Sequence, residues 1–168
     1  MEVNKVTTAL DSTTLRRVLG LFATGVTVIV AGSAERAHAM TANSFTSVSL
    51  DPPLILICVQ HANKMAGLLE TGSHFTVNFL AQDQEQISRY FSGNKKMGDT
   101  PDFELIPWCE GSRLAECLCS LSCQVEHVFS AGDHVIFLSR VQSIYEKVSE
   151  QAPLLFWKGR YQQLAMRE

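Results

Sequence analysis

Between two apolar stretches of this chain lies the run Met40-Thr41-Ala42-Asn43-Ser44-Phe45-Thr46-Ser47-Val48-Ser49, dense in hydroxyls and carrying one amide. Side chains this small let backbone N–H groups come close to a flat polar ring or a phosphate, and the hydroxyls can donate to oxygens. Asn43 offers a donor and an acceptor together, as an imide-like edge requires. The same composition suits a polar turn followed by the outer face of a strand. Residue types and spacing leave both readings open.

Other candidate chemistry is weaker. Gly20 to Thr27 and Gly93 to Thr100 have the glycine spacing of a phosphate loop, but neither carries the lysine that reaches the phosphates, so turn glycines are expected. No G-x-G-x-x-G, H-E-x-x-H or G-x-S-x-G occurs. Cys117, Cys119, Cys123 and His127 share parity along an extended segment, and thiolates with imidazole bind zinc. At roughly 3.3 Å per residue the ends of that segment lie about 33 Å apart, too far for one ion. Small core side chains are the expectation there. The five cysteines form no CxxC pair and are odd in number, which points to reduced thiols.

Composition sets the frame for these residues. With 168 residues, 46% hydrophobic and 18% charged, the chain can build a core and is expected to form one domain over 1–168, fraying at about 1–12. A net charge of −3 argues against nucleic acid as a partner. Val18 to Ala34 is uncharged, but it starts late and is broken by Gly20, Gly25 and Gly32. It is also shorter than the roughly 20 apolar residues of a membrane span. No membrane association and a cytoplasmic location are therefore expected.

The elements that must position the polar run follow from periodicity. Leu15, Val18, Leu19 and Phe22 fall on one helical face, with Asp11, Ser12 or Thr13 as N-cap. Val26 to Ala31 and Leu54 to Val59 read as strands. Lys64 to Leu69 reads as a short helix stopped at Gly72. Phe75, Val77 and Phe79 alternate with His74, Thr76 and Asn78, a half-buried strand. Asp83 to Phe91 is expected to be helical with Ile87, Tyr90 and Phe91 inward, and Gly93 to Asp102 to be a loop. Cys117 to Phe129 alternates, Ser120 and Ser122 on the face opposite the cysteines. Ser130 to Asp133 is a turn, and His134 to Tyr145 returns as the second arm of a hairpin. Leu154 to Tyr161 is expected as a last strand. Many strands without βαβ alternation predict a mainly β (α+β) fold, an antiparallel barrel with a few flanking helices.

The run from Met40 to Leu54 closely resembles the flavin reductase family, the small reductase components of two-component flavin-dependent monooxygenases. The resemblance extends over most of the chain. It includes GVTVIVAG at Gly25 to Gly32, FTVNFLAQDQ at Phe75 to Gln84, RYFSG at Arg89 to Gly93, AGDHVIFLSRV at Ala131 to Val141 and PLLFWKGRY at Pro153 to Tyr161. The resemblance implies a six-stranded antiparallel Greek-key split β-barrel, usually a homodimer, with FMN or FAD in a cleft near the subunit interface.

Carried onto this chain, it implies that Thr41, Ala42, Asn43 and Ser44, after Met40, line the flavin ring and ribityl chain, with Thr46 and Ser47 continuing the cradle. His61, Ala62, Asn63 and Lys64 would lie near the flavin phosphate, and Gly93 and Asn94 would flank the flavin. His134, in the GDH turn, would sit beside flavin and nicotinamide. Phe156, Trp157, Lys158, Gly159, Arg160 and Tyr161 would form the nicotinamide wall, although Phe156-Trp157-Lys158 stands where relatives often have a tyrosine and histidine pair. The implied activity is hydride transfer from NADH, with NADPH possible, to FAD or FMN. Free reduced flavin then diffuses to a separate oxygenase. A flavin-binding electron carrier without NAD(P)H turnover is the alternative. Few basic residues cluster near the last strand apart from Lys158 and Arg160, which leans the expectation toward NADH.

Overall fold

A computed structural model of the chain describes residue 8, residues 11–93 and residues 100–164. Helices are few: α1 (Ser12–Leu19) and α2 (Glu85–Phe91). The strands are β1 (Thr24–Gly25), β2 (Thr27–Ala31), β3 (His38–Ala42), β4 (Phe45–Leu50), β5 (Pro53–Gln60) and β6 (His74–Phe79). They continue with β7 (Leu105–Trp108), β8 (Gly111–Leu114), β9 (Cys119–Ala131), β10 (His134–Glu146), β11 (Leu155–Trp157) and β12 (Arg160–Gln162).

The principal sheet has seven antiparallel strands in the order β3-β2-β6-β9-β10-β5-β4, where six were expected. A second sheet is β1-β11-β12, and β7 pairs with β8. The two edges of the large sheet, β3 and β4, are consecutive in sequence with only Asn43 and Ser44 between them. Two residues bridge at most about 11 Å between flanking Cα atoms. The sheet must therefore curl until its edges approach, with no ladder joining them. The polar run, read as a turn or an outer strand face, is these two edge strands and the corner between them.

The curl encloses Ile29, Ile57, Phe75, Val77, Cys123 and Phe137, all fully buried or nearly so. A short 3-10 turn over Lys64–Gly67 pushes Met65 into the same core. It occupies part of the stretch expected as a helix to Leu69. Outside the barrel a second core forms from Val26, Val28, Val30, Leu80, Ile87 and Leu154. Because β2 contributes to both cores, every one of its residues is buried, and after Thr27, whose Oγ1 donates to the Ala42 carbonyl, its sequence is apolar with no alternation.

The same two-sided burial corrects the half-buried reading of β6. Thr76 and Asn78 are buried because β8 and the start of β9 cover that face. Thr76 Oγ1 donates to the Ser112 carbonyl at 2.7 Å. Asn78 Nδ2 donates to the Val28 carbonyl at 2.9 Å, and Asn78 Oδ1 accepts from Leu114 N–H at 3.0 Å and Ser120 Oγ at 2.8 Å. Ser120 and Ser122, expected on an outer face, are buried for the same reason. The hairpin of β9 and β10 turns at Gly132, whose φ of 63° is available to glycine at little cost.

Two other expectations need correction. Tyr90 on α2 is 39% exposed, and Ile87 takes the inward position. The last strand is instead two short strands reversing at Lys158 (φ 50°) and Gly159 (φ 74°), a two-residue loop with both φ positive. At the other end of the described chain, Asp11 caps α1, its Oδ1 accepting from Thr13 and Thr14 N–H at 2.9 Å. No side chain of α1 is buried, so its apolar face of Leu15, Val18 and Leu19, with Phe22 beyond it, lies open. The cap fixes where the helix starts, and tertiary packing contributes little to holding it.

Candidate functional site

The barrel corner gives each member of the polar run a different fate. Met40 packs on the barrel core and Ala42 is buried in it. Thr41 Oγ1 donates to the Ser88 carbonyl on α2 at 2.6 Å, and Ser88 Oγ lies 2.8 Å from the Tyr161 hydroxyl. Ser44 Oγ donates to the Cys58 carbonyl at 2.7 Å and accepts from Cys58 N–H at 3.3 Å. Those two hydroxyl protons are used by the fold. Asn43 is exposed, and its Nδ2 donates to Thr24 Oγ1 over a long 3.3 Å. Thr46 and Ser47 are exposed on edge strand β4.

A second group gathers at the end of β5 and the tip of the β9–β10 hairpin, because His134 pairs with both Gln60 and Ala131. His61 N–H donates to the Asp133 carbonyl at 3.0 Å, and His61 Nε2 lies 3.4 Å from Ser130 Oγ. Asp133 Oδ1 is 2.7 Å from His134 Nδ1. That hydrogen bond, and then the His134 charge, hold the Asp133 carboxyl below the usual carboxylate range. Ala62 is in the following turn, and Asn63 Oδ1 caps the 3-10 turn by accepting from Met65 N–H at 2.9 Å. Lys64 is exposed near His38, whose pKa is lowered first by burial and then by the Lys64 charge. Gly93 closes the end of α2 with φ 77°. Asn94 lies outside the described residues.

The third group is the β11–β12 hairpin. Trp157 Nε1 donates to the Leu21 carbonyl at 3.0 Å, and Lys158 N–H donates to the Gly20 carbonyl at 2.8 Å. Lys158 Nζ lies 4.3 Å from the centroid of the Trp157 ring. Phe156 and Tyr161 meet edge-on at 5.3 Å, with the Arg89 guanidinium 4.7 Å from the Tyr161 ring centroid. Arg160 is exposed beside the turn.

Between α1, the barrel corner and this hairpin opens a cleft of about 970 Å³ whose walls include Arg16, Phe22, Thr24, Asn43, Phe156 and Lys158. Asp133 and Gly159 also reach it. A cavity of about 360 Å³ continues inward from Thr24 and Asn43 to Phe45 and Phe79, whose rings are 5.1 Å apart. This is the size range of a nucleotide cofactor site. The cleft unites Asn43, Phe156, Lys158 and Gly159 from the expected residues. Lys64 and His134 do not line it, and the hydroxyls of Thr41 and Ser44 are engaged elsewhere.

Sequence reading missed Arg16, Arg17, Phe22, Thr24 and Asp133 as cleft residues. Asp133 had a signal, its place beside His134 in the turn. The α1 residues had none, since nothing local says that this helix faces residues 155–160. The cysteines take no part in the cleft. Burial pushes the Cys119 thiol up to about 11 and the Cys123 thiol up to about 12, so both stay protonated at neutral pH. Among the described residues no three His, Cys, Asp or Glu side chains come together as metal ligands would. No helix among them is long and apolar enough to cross a membrane.

A mainly β protein with an open, aromatic-walled, partly cationic cleft at a barrel corner is built to hold a flat nucleotide cofactor. Comparison with known proteins makes the class specific. Residues 19–165 match the family described as flavin reductase like domain. The chain is 37% identical over 160 residues to an NADH-dependent FAD reductase of Streptomyces globisporus, covering 92% of this chain and 87% of that protein. The structure resembles that of the NADH:FAD oxidoreductase of Streptomyces globisporus C-1027 in complex with NAD and FAD fragments. That likeness has a TM-score of 0.81 and 38% identity, over 92% of this chain and 93% of that one. It also resembles the flavin reductase of styrene monooxygenase from Pseudomonas putida S12, with a TM-score of 0.82 and 33% identity over 92% and 99% of the two chains. The chain belongs to the flavin reductase family.

The residues present fit a flavin. A Cβ at Gly25 or Gly159 would meet no protein atom within 4 Å, so both glycines leave the lining open to a flat ring. Asn43, held by one long bond, keeps hydrogen-bonding capacity for a heterocycle edge. The split-barrel-like, mainly β architecture with few helices agrees with the solved relatives.

Proposed function

We propose that the chain is an NAD(P)H:flavin oxidoreductase that moves a hydride from NADH, or NADPH, to FAD or FMN and supplies free reduced flavin to a separate flavin-dependent monooxygenase. The observation that carries this reading is the cleft that Asn43, Phe156 and Lys158 line together. An amide for a heterocycle edge, an aromatic wall for a second ring and a cation for a phosphate are what two stacked nucleotides require.

In this reading the flavin, when bound, supplies the electron-accepting ring, and the protein brings donor carbon and acceptor nitrogen together. Asn43 and the backbone of residues 40–44 hold the flavin's polar edge, with Thr46 and Ser47 beyond it. His61, Ala62, Asn63 and Lys64 serve the phosphate side, and Gly93 and Asn94 flank it. Phe156 to Tyr161 forms the nicotinamide wall. His134 positions the rings or delivers a proton, with Asp133 fixing its Nδ1 side. The hydroxyl bonds of Thr41 and Ser44 set the shape of the corner. The chain acts as one domain in the cytoplasm, and its barrel has Greek-key character around the principal sheet.

A homodimer belongs to the same reading. Exposed apolar residues away from the cleft, Phe129 on β9 at 50% exposure and Ile144 on β10, are surface that a second copy would cover. The test of function is NADH oxidation followed at 340 nm with and without FAD or FMN, with transfer of reduced flavin to a competing acceptor. Turnover with release supports the reductase. Flavin retained through many turnovers would make the chain an electron carrier.

A further inference from the structure

We propose that the α1 end of the cleft is a phosphate subsite for the nicotinamide dinucleotide, formed by Arg16, Arg17 and Lys158 and distinct from the Lys64 region. The inference rests on the reductase reading and adds the recognition of the donor.

Three cations line one concavity together with Asn43 and Phe156, in a chain whose net charge is −3. None of the three has a carboxylate within ion-pair distance among the described residues. Two nearby carboxylates are otherwise engaged. Asp133 is held by His134, and the Asp11 Oδ1 oxygen accepts the Thr13 and Thr14 N–H groups. The first-turn amides of α1 are therefore occupied, and the helix start is not the anion site. At the other end, the Gly20 and Leu21 carbonyls would repel an anion, but Lys158 N–H and the Trp157 indole cover them. Both features leave the two guanidinium groups, with the Lys158 ammonium that rests 4.3 Å from the Trp157 ring centroid, as the cleft's cationic partners, suited to a pyrophosphate.

Lys64 does not line this cleft. It lies near His38, at the start of β3, whereas the cleft lies past the end of that strand at Asn43. Four strand steps separate His38 from Ala42, about 13 Å. Cationic positions near both ends of β3 suit two nucleotides, flavin phosphate at one and donor phosphates at the other. The pyrophosphate is common to NADH and NADPH, so this subsite does not set the choice between them, and the expectation of NADH stands.

The experiment is steady-state oxidation of NADH and of NADPH at saturating FAD, for the wild type, R16Q/R17Q and R16K/R17K, with FAD affinity measured separately by fluorescence quenching. No α1 side chain is buried, so these variants keep the fold. For R16Q/R17Q we expect KM for NADH to rise about tenfold, with kcat within about twofold. KM for NADPH should rise at least as much, with FAD affinity unchanged. R16K/R17K should stay within about threefold of wild type. Raising salt from about 50 to about 500 mM should raise the wild-type KM and barely move that of R16Q/R17Q. The subsite is overturned by an unchanged KM, by an equal rise in the Lys and Gln variants, or by loss of FAD affinity in place of the KM effect. A wild type that oxidises neither nicotinamide overturns the reductase reading, and the subsite with it.

Discussion

Asn78 and Asn43 show how differently two regions of this molecule treat the same side chain. Asn78 sits in the sheet centre, 0% exposed, and its amide is spent on Val28, Thr76, Leu114 and Ser120. Asn43 sits at the barrel corner, exposed, with one 3.3 Å bond to Thr24. The first closes a buried network, and the second keeps its capacity for a ligand. The contrast extends to whole elements. β2 is buried throughout, whereas α1 buries no side chain and is joined to the β11–β12 hairpin by the Trp157 and Lys158 hydrogen bonds. Chemistry is expected where the fold leaves polar groups unspent.

The sharpest way to break this comparison is to remove both amides. Asn78→Ala would strand a buried carbonyl, an N–H and a hydroxyl, and should cost about 3–4 kcal/mol. For a chain of this size that lowers Tm by about 10 °C in a thermal melt. Asn43→Ala should cost under about 0.5 kcal/mol while weakening flavin binding. Equal losses of stability would mean that the corner is as structural as the sheet.

These two asparagines also mark how far sequence reading reaches. Local signals were legible: Asp11 as a cap, the β-branched run into β2, and the Gly132 turn between β9 and β10. Motif resemblance marked the run from Met40 to Ser49 and the segment Pro153 to Tyr161 as candidate site segments, the latter read as one strand. Whether a polar side chain is used up by the fold was not legible, because it depends on what covers each face. Thr76, Asn78, Ser120 and Ser122 look like a solvated face until β8 and the second core cover it. Thr41 and Ser44 look like ligand donors until Ser88 and Cys58 accept their protons. The reversal at Lys158-Gly159 carried a turn signal, a glycine between strand formers, that was read through as continuous strand. The cationic rim had no sequence signal, since it joins α1 to a hairpin more than a hundred residues away.

A middle-sized effect is expected at His134, which starts β10 and holds the cleft residue Asp133. His134→Ala should lower kcat by less than about a hundredfold, because hydride transfer needs positioning more than a strong acid at the donor carbon. Flavin should still bind, as read by fluorescence quenching. Complete loss of turnover with flavin bound would make His134 an obligate acid and place essential chemistry on the rim.

The smallest expected effect tests the rim's attachment. Trp157→Phe keeps an aromatic wall but removes the indole N–H that the Leu21 carbonyl accepts across 136 residues of chain. One exposed hydrogen bond contributes about 1 kcal/mol, so α1 should open about fivefold more often. Hydrogen exchange of the α1 amides should quicken by that factor while the β2 and β6 amides exchange as before. Tm should move by no more than about 2 °C, since α1 buries nothing that the sheet depends on. KM for NADH should rise modestly, because Arg16 and Arg17 ride on the helix that has loosened. If the sheet amides speed up together with α1, the rim and the barrel are one cooperative unit, and the separation between spent and unspent regions fails.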